Sequence, residues 1–126
     1  MFLYKKKKIS KLEQVNKGAL NHWIIQKISA LFLLPLVFWF LYTLKEFINK
    51  DYSSKITWLE KFPNGILLAL FIVAALFHLR LGLTTVIEDY IHNSKTKNFL
   101  LSGIAILCLF LAVFTVIITL VLLIKK

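Results

Sequence analysis

The sequence predicts an all-helical membrane protein with three transmembrane helices. The chain has 126 residues, of which 59% are hydrophobic, and a mean hydropathy of +0.76. A soluble domain of this size could not bury so much apolar surface, because small domains bury only part of the surface that their chains carry. The apolar residues also stand in long runs, which are typical of membrane spans. We therefore expect a single membrane domain over residues 1–126.

Three apolar runs are long enough to cross a bilayer, which takes about 20 residues of helix. The predicted spans are residues 23–44, 66–87 and 99–124. Pro35 lies inside the first, where we expect a kink rather than a break, because neighbouring helices can satisfy the freed carbonyl. The Pro-Asn-Gly segment at 63–65 predicts the start of the second helix. Lys125 and Lys126 are predicted to end the third span on the outer side.

The formal charge of +10 is concentrated near the N-terminus, where a basic tail, residues 1–21, is predicted to have no packing face. The lysines that precede or open the first run are Lys5, Lys6, Lys7, Lys8, Lys11, Lys17 and Lys27. Positive charge stays on the cytoplasmic or matrix side, so the N-terminus and loop 88–98 are predicted inside and loop 45–63 outside. The tail lacks the aromatic interleaving of nucleic-acid-binding segments, so no nucleic-acid partner is expected, only membrane lipid and protein.

The second span carries a stripe of small and polar residues. His78, Gly82, Thr85 and Asp89 share one helix face, because steps of four, seven and eleven residues are close to whole turns. Such a stripe marks the side of a membrane helix that meets protein or a cofactor. His78 could serve in an interhelical hydrogen bond, a proton relay or metal ligation. Gly82 favours ligation, because a flat macrocycle needs space beside its axial ligand and imidazole is a usual haem-iron ligand.

The number of histidines bears on a haem site. A membrane b-type haem generally takes two axial histidines, but His22 and His92 are predicted at the inner surface. If His78 binds haem, the second ligand must therefore come from another chain. Arg80 faces nearly away from His78 and lies within reach of the inner surface. It could contact lipid phosphate, or it could pair with a haem propionate or a partner carboxylate.

Asp89 and Tyr90 end the second span. They could form an ordinary polar helix end with an interfacial tyrosine. The predicted topology also brings Trp23, Gln26 and Lys27 to the same membrane face. A phenol, a cation and an indole wall make a plausible site for a quinone head group, so Tyr90, Asp89 and Trp23 are candidate quinone-binding residues.

Two motifs resemble the succinate dehydrogenase cytochrome b small subunit, the smaller membrane anchor of complex II. The first span opens with HWIIQKISA at 22–30, similar to the family pattern H-W-x-x-Q-R-x-[ST]-A. The second contains HLRLGLTTVIEDYIH at 78–92, which matches the family's His, Gly, Asp and Tyr spacing. Lys27 stands where the family usually has Arg, which keeps the charge but loses the planar fork for bidentate contacts.

The resemblance implies a role in electron transport from the tricarboxylic acid cycle. It implies that His78, with Gly82, Arg80 and Lys27 nearby, binds the iron of a haem b shared with the large cytochrome b subunit. It implies that Tyr90 hydrogen-bonds ubiquinone. The expected partners are that subunit, the iron–sulfur subunit and the flavoprotein subunit, in the mitochondrial inner membrane or alternatively the bacterial cytoplasmic membrane. The chain would be non-catalytic on its own.

Two other classes of protein stay open from the residues alone. One is a structural accessory or assembly subunit of a respiratory complex that binds neither haem nor quinone. The other is a small transporter or proton-relay subunit, which should line a path with several ionisable residues. The third span contains none, so the transporter ranks last.

Overall fold

A computed structural model describes residues 1–125, except for the side chains of residues 12, 15 and 16, and the described chain is helical with no strand. Its four helices are α1 (Phe2–Ile48), α2 (Tyr52–Glu60), α3 (Asn64–Tyr90) and α4 (Ser94–Ile124). Three segments are long and apolar enough to cross a membrane. They are Lys17–Ile48, Asn64–Tyr90 and Ser94–Ile124. The three predicted spans are therefore confirmed by length and composition.

Helix α3 lies at the centre of the bundle, with α1 packed on one flank and α4 on the other. The ring of Phe40 in α1 stacks on that of Phe71 in α3, with centroids 4.5 Å apart. Leu36 of α1, Ile87 of α3 and Cys108 of α4 are the buried apolar side chains. Helix α1 runs antiparallel to α3, so the start of α1's span lies beside the end of α3. We call this region the N-terminal end of the bundle.

Most apolar side chains on the three long helices face outward. Leu109 and Phe110 on α4, for example, are 66% and 64% exposed. In water such a surface would drive association, whereas lipid tails are as apolar as leucine and solvate it without cost. The few buried side chains show that the bundle is thin, and its outer faces suit lipid or further membrane helices.

Helix α1 begins well before the predicted span. The tail at 1–21 was predicted to have no packing face, and the span was predicted to begin near residue 23. Helix α1 starts at Phe2 and continues through Pro35 to Ile48 without a break. Lys, Glu and Gln are good helix formers, and a helix that has started adds one hydrogen bond per residue fixed. The described side chains before Lys17 stay exposed, so this arm extends about 22 Å from the span with no packing against the bundle.

The connection at 45–63 was predicted as a loop, and this is wrong for its second half. Helix α2 folds back so that the Trp58 ring lies 5.1 Å from the Phe47 ring and 6.4 Å from the Trp39 ring. Packing the half-buried indole against two aromatic rings stabilises the short helix. Trp58 therefore packs on α1, whereas Tyr52 and Phe62 are exposed as an interfacial residue would be.

The connection at 88–98 is shorter than predicted. Helix α3 continues to Tyr90, and α4 begins at Ser94. The Asn93 side chain caps α4 by accepting hydrogen bonds from the backbone N–H groups of Lys95 and Thr96, at 3.0 and 3.2 Å. This cap supplies acceptors that the first turn of a helix otherwise lacks. Lys126, predicted to end the third span, lies outside the described residues.

Gly65 is buried where the end of α2 meets the start of α3. A Cβ at this position would collide with the backbone carbonyl of Leu59. We therefore expect Gly65→Ala to push α2 away and to lower the free energy of unfolding by about 1–3 kcal/mol, the usual cost of overpacking. Thermal unfolding in detergent, followed by circular dichroism, measures this.

Gly103→Ala is the matched control, because a Cβ on Gly103 meets nothing within 4 Å. Equal melting temperatures for the two variants would contradict the prediction.

Candidate functional site

His78 is held by a hydrogen bond to the neighbouring helix. Its Nδ1 lies 2.8 Å from the Oγ of Ser29 on α1. Ser29 is buried and His78 is half-buried. A hydrogen bond between membrane helices contributes about 0.6 kcal/mol on average, so its main effect here is to fix the orientation of the ring.

The Ser29 hydroxyl also sets which imidazole nitrogen carries the proton. Its Oγ donates to the backbone carbonyl of Gln26 at 2.8 Å. A hydroxyl has one hydrogen, so when that hydrogen is donated to the Gln26 carbonyl, Oγ accepts from Nδ1–H of His78. In this arrangement Nε2 has no proton and a free lone pair. Metal-binding histidines usually have this pattern, with the second nitrogen donating to a protein oxygen.

The surroundings of His78 leave space for a flat ligand. A hollow of about 420 Å³ opens beside the imidazole and is lined by apolar side chains of α3. The lining residues are Phe71, Ile72, Ala75, Leu76, His78 and Leu79. One turn further on, a Cβ added to Gly82 would meet nothing within 4 Å. The donor, the apolar wall and the missing side chain fit one axial position of a haem.

Among the residues that line the hollow, His78 is the one with a side chain that can bind a metal ion. In the described part of the chain, no group of three or more His, Cys, Asp or Glu side chains is placed to hold a metal ion. A multidentate metal centre is therefore not formed by these residues. An iron held by His78 would need its other axial ligand from a second chain.

The two predicted cations lie on different surfaces. Arg80 is exposed on α3, and the hydroxyl of Thr84 donates to its backbone carbonyl at 2.8 Å. Lys27 is exposed on α1, with its Nζ 5.6 Å from the centroid of the Trp23 ring. This cation–π contact confirms that Trp23 and Lys27 lie together, at a distance where such contacts are favourable.

The N-terminal end of the bundle contains a groove of about 600 Å³ between α1 and α3, with apolar and polar residues in its walls. Its α1 wall consists of Gly18, Ala19, His22, Trp23 and Gln26, and its α3 wall of Thr85 and Glu88. Gly18 and Ala19 have small side chains and so leave space in the groove, and the polar side chains line that space. We call this space the α1/α3 groove. The prediction that the start of the first span meets the end of the second is thus confirmed in space.

Tyr90 and Asp89 lie at the tip of α3, beside the α1/α3 groove but not in its wall. Both are exposed, Tyr90 to 77%. Their hydroxyl and carboxylate form no side-chain hydrogen bond within the described residues, so both groups are available to a ligand or a partner chain.

Three residues of this region were not among the predicted site residues. Ser29 holds His78, and His22 and Glu88 line the α1/α3 groove. The residue spacing in α3 correctly placed Thr85 on the same helix face as His78. It could not show which residues of α1 lie opposite that face. The antiparallel register supplies that information, because it sets Ser29 level with His78 and His22 level with Thr85.

The fold and these residues define a class of protein: a three-span membrane protein with one histidine at mid-span and polar groups gathered at one end. The family model described as succinate dehydrogenase/fumarate reductase transmembrane subunit matches residues 4–123. The chain therefore belongs to that family.

Relatives with related names match most of this chain. The succinate dehydrogenase hydrophobic membrane anchor subunits of Rickettsia typhi and Rickettsia bellii are 32% and 34% identical to it over 102 and 88 residues. These alignments cover 79% and 70% of this chain and 80% and 70% of the relatives. The succinate dehydrogenase membrane anchor subunit of Reclinomonas americana is 30% identical over 96 residues, 71% of this chain and 80% of its own. No solved structure matches.

Proposed function

We propose that this chain is the membrane anchor subunit of a succinate dehydrogenase complex, that it shares a haem b with a second anchor subunit, and that it contributes to the ubiquinone site. Family membership and the names of the relatives support the anchor role. The Ser29–His78 hydrogen bond beside the open Gly82 is the single observation that carries the haem role.

The lysine-rich arm supports an orientation with the N-terminus on the inner side of the membrane, since positive charge stays on that side. The N-terminal end of the bundle then faces the cytoplasm or the matrix. The Rickettsia relatives fit the bacterial cytoplasmic membrane, the alternative to the mitochondrial inner membrane that the family resemblance implied first. Hydrophilic iron–sulfur and flavoprotein subunits would dock on this inner face.

His78 would hold the haem iron through Nε2, while Ser29 keeps the ring oriented and its Nδ1 protonated. Gly82 would leave room for the macrocycle, and the apolar hollow would exclude water from it. When bound, the haem supplies a one-electron redox centre. Lys27 and Arg80 would offer positive charge toward propionates or partner carboxylates, each as an exposed cation rather than as a buried ion pair.

The residues proposed to bind the quinone lie at the end of α3 and the start of the first span. The phenol of Tyr90 would donate a hydrogen bond to a quinone oxygen, and the Trp23 indole would supply a flat wall. Asp89 would support this region from the same helix end. The chain itself performs no chemistry on succinate: electrons reach the quinone from redox centres in partner subunits, and the anchor positions the head group.

Purification of the native complex through an affinity tag on this chain tests the proposal. We expect iron–sulfur and flavoprotein subunits in the mass spectrum and a b-type signal in the reduced-minus-oxidised absorption spectrum. A complex with the partners but without a b-type signal would indicate a purely structural anchor. A preparation without the partners would contradict the anchor role itself.

Ser29→Ala tests the contact that carries the haem role. The variant removes the hydroxyl that orients His78, and loss of such an outer partner typically costs 10–100-fold in metal affinity, so we expect haem dissociation in detergent to increase by about that factor. The b-type absorbance during dilution measures it. Ser102→Ala, an exposed serine of α4, is the control, and equal haem retention in both variants would contradict the assignment.

A further inference from the structure

His22 has a buried nitrogen with no partner. Its Nε2 is shielded from solvent and makes no hydrogen bond within the described residues. Leaving such a group unpaired costs about 1–3 kcal/mol, and native proteins seldom retain one without a use for it. The nitrogen belongs to a residue that lines the α1/α3 groove, which is open. A group that enters this space and moves aside the side chains covering Nε2 would supply the missing partner.

The opposite wall of the α1/α3 groove presents a carboxylate. Glu88 of α3 lines the groove together with His22, but it does not reach Nε2. An imidazole N–H can donate a hydrogen bond to a carbonyl oxygen, and a carboxylate can accept one from a hydroxyl. A ligand oxygen between them would meet a donor on one side and an acceptor on the other. This combination suits an oxygen that is a carbonyl in one state and a hydroxyl in the other.

The remaining groove residues favour a flat ring. Trp23 supplies an indole face, and Gly18 and Ala19 leave space beside it. Lys27 lies against the same indole, so a cation stands at the rim. A planar ring with oxygen substituents, whose reduced forms carry negative charge, matches an apolar wall, a donor and a nearby cation. A quinone head group has these properties.

We propose that His22 is a binding residue for the quinone, with Nε2–H donating to one quinone oxygen in the α1/α3 groove, and that Glu88 accepts a hydrogen bond from the corresponding hydroxyl of the quinol. This deepens the proposed function and rests on it. Reduction adds two electrons, delivered by redox centres of the partner subunits, and two protons from the inner aqueous phase, one to each oxygen. The quinone oxygen beside His22 is a carbonyl that only accepts hydrogen bonds. In the quinol it is a hydroxyl that can also donate, and it donates to the Glu88 carboxylate.

The test uses the intact purified complex with His22→Leu, which removes the ring nitrogens, and His22→Gln, which retains a donor. We expect His22→Leu to raise the KM for ubiquinone by about tenfold, the effect of losing one hydrogen bond. His22→Gln should recover part of this loss. Dye-linked succinate oxidation should be unchanged in both, because that reaction bypasses the groove. His92→Leu, an exposed histidine beyond α3, is the matched control.

Glu88→Gln gives a second measurement that does not depend on the histidine. Because Glu88 is assigned to the quinol, this variant should weaken product inhibition by quinol more than it raises the KM for quinone.

An unchanged ubiquinone KM in His22→Leu, with normal dye activity, would overturn the inference and leave the anchor role intact. Loss of the b-type signal with an unchanged KM would also overturn it, since Nε2 would then serve a haem propionate. If dye activity and ubiquinone reduction fall equally in His22→Leu while His22→Gln behaves as wild type, the residue acts in assembly and the inference is wrong. Failure of the proposed function is seen separately, as absence of the partner subunits from the wild-type preparation.

Discussion

His78→Ala is expected to remove the b-type haem from the complex. The imidazole is the single histidine at mid-span, its Nε2 faces no partner among the described residues, and its orientation is set by Ser29. Alanine offers no lone pair to iron, so one axial position is lost. We expect the reduced-minus-oxidised absorbance to fall to a small fraction of the wild-type value. Succinate oxidation with a soluble dye should survive in whatever enzyme assembles, because it does not pass through the anchor.

His92→Ala is the control for this experiment. His92 is exposed just beyond the end of α3, so this change removes a histidine near the same helix without altering its mid-span region. An unchanged haem content in His78→Ala would show that the ligand assignment is wrong. Lost haem in His92→Ala as well would point to general instability of the preparation.

Tyr90→Phe is expected to impair ubiquinone reduction selectively. The change removes one hydroxyl from a side chain that is 77% exposed, so it should leave the fold unaffected, as surface substitutions generally do. If the phenol donates to a quinone oxygen, ubiquinone reductase activity should fall by about tenfold or more, the effect of one hydrogen bond to a charge-developing oxygen. The ratio of ubiquinone-linked to dye-linked activity measures this.

Tyr52→Phe is the matched control, because Tyr52 is 81% exposed at the opposite end of the bundle. It should leave the activity ratio at the wild-type value. If Tyr90→Phe lowers both activities equally, the phenol supports assembly of the complex rather than quinone binding.

The spans could be predicted from the sequence because one physical requirement dominates them. A chain in lipid must satisfy its backbone hydrogen bonds internally, so long apolar runs can only be helices. The length of an apolar run, however, reflects the thickness of the bilayer and does not show where the helix ends. The lysines before residue 17 and the polar residues after residue 87 are good enough helix formers to continue the spans. Helix α2 was missed because tertiary contacts hold it, among them Trp58 packing on α1 and the approach of α2 to α3, and no local pattern reveals these.

The candidate site divides in the same way. His78 and Gly82 could be found on a wheel, since they share the face of one helix. Ser29 is 49 positions away from its partner, and it became relevant only when the register of α1 against α3 was known. His22 opens the HWIIQKISA motif, but neither the motif nor the position near a membrane surface gave it a ligand. Its distinguishing property, a shielded nitrogen with no partner, is a property of packing and so cannot be read from composition or spacing.

The central position of α3 has a consequence for biogenesis. A chain is made from its N-terminus, and α1 and α3 together supply the described contacts of His78 and all walls of the α1/α3 groove. These contacts can therefore form before α4 packs, because α4 joins on the other flank of α3. The groove walls and the contact that orients His78 are thus complete within two of the three spans, and α4 contributes to neither.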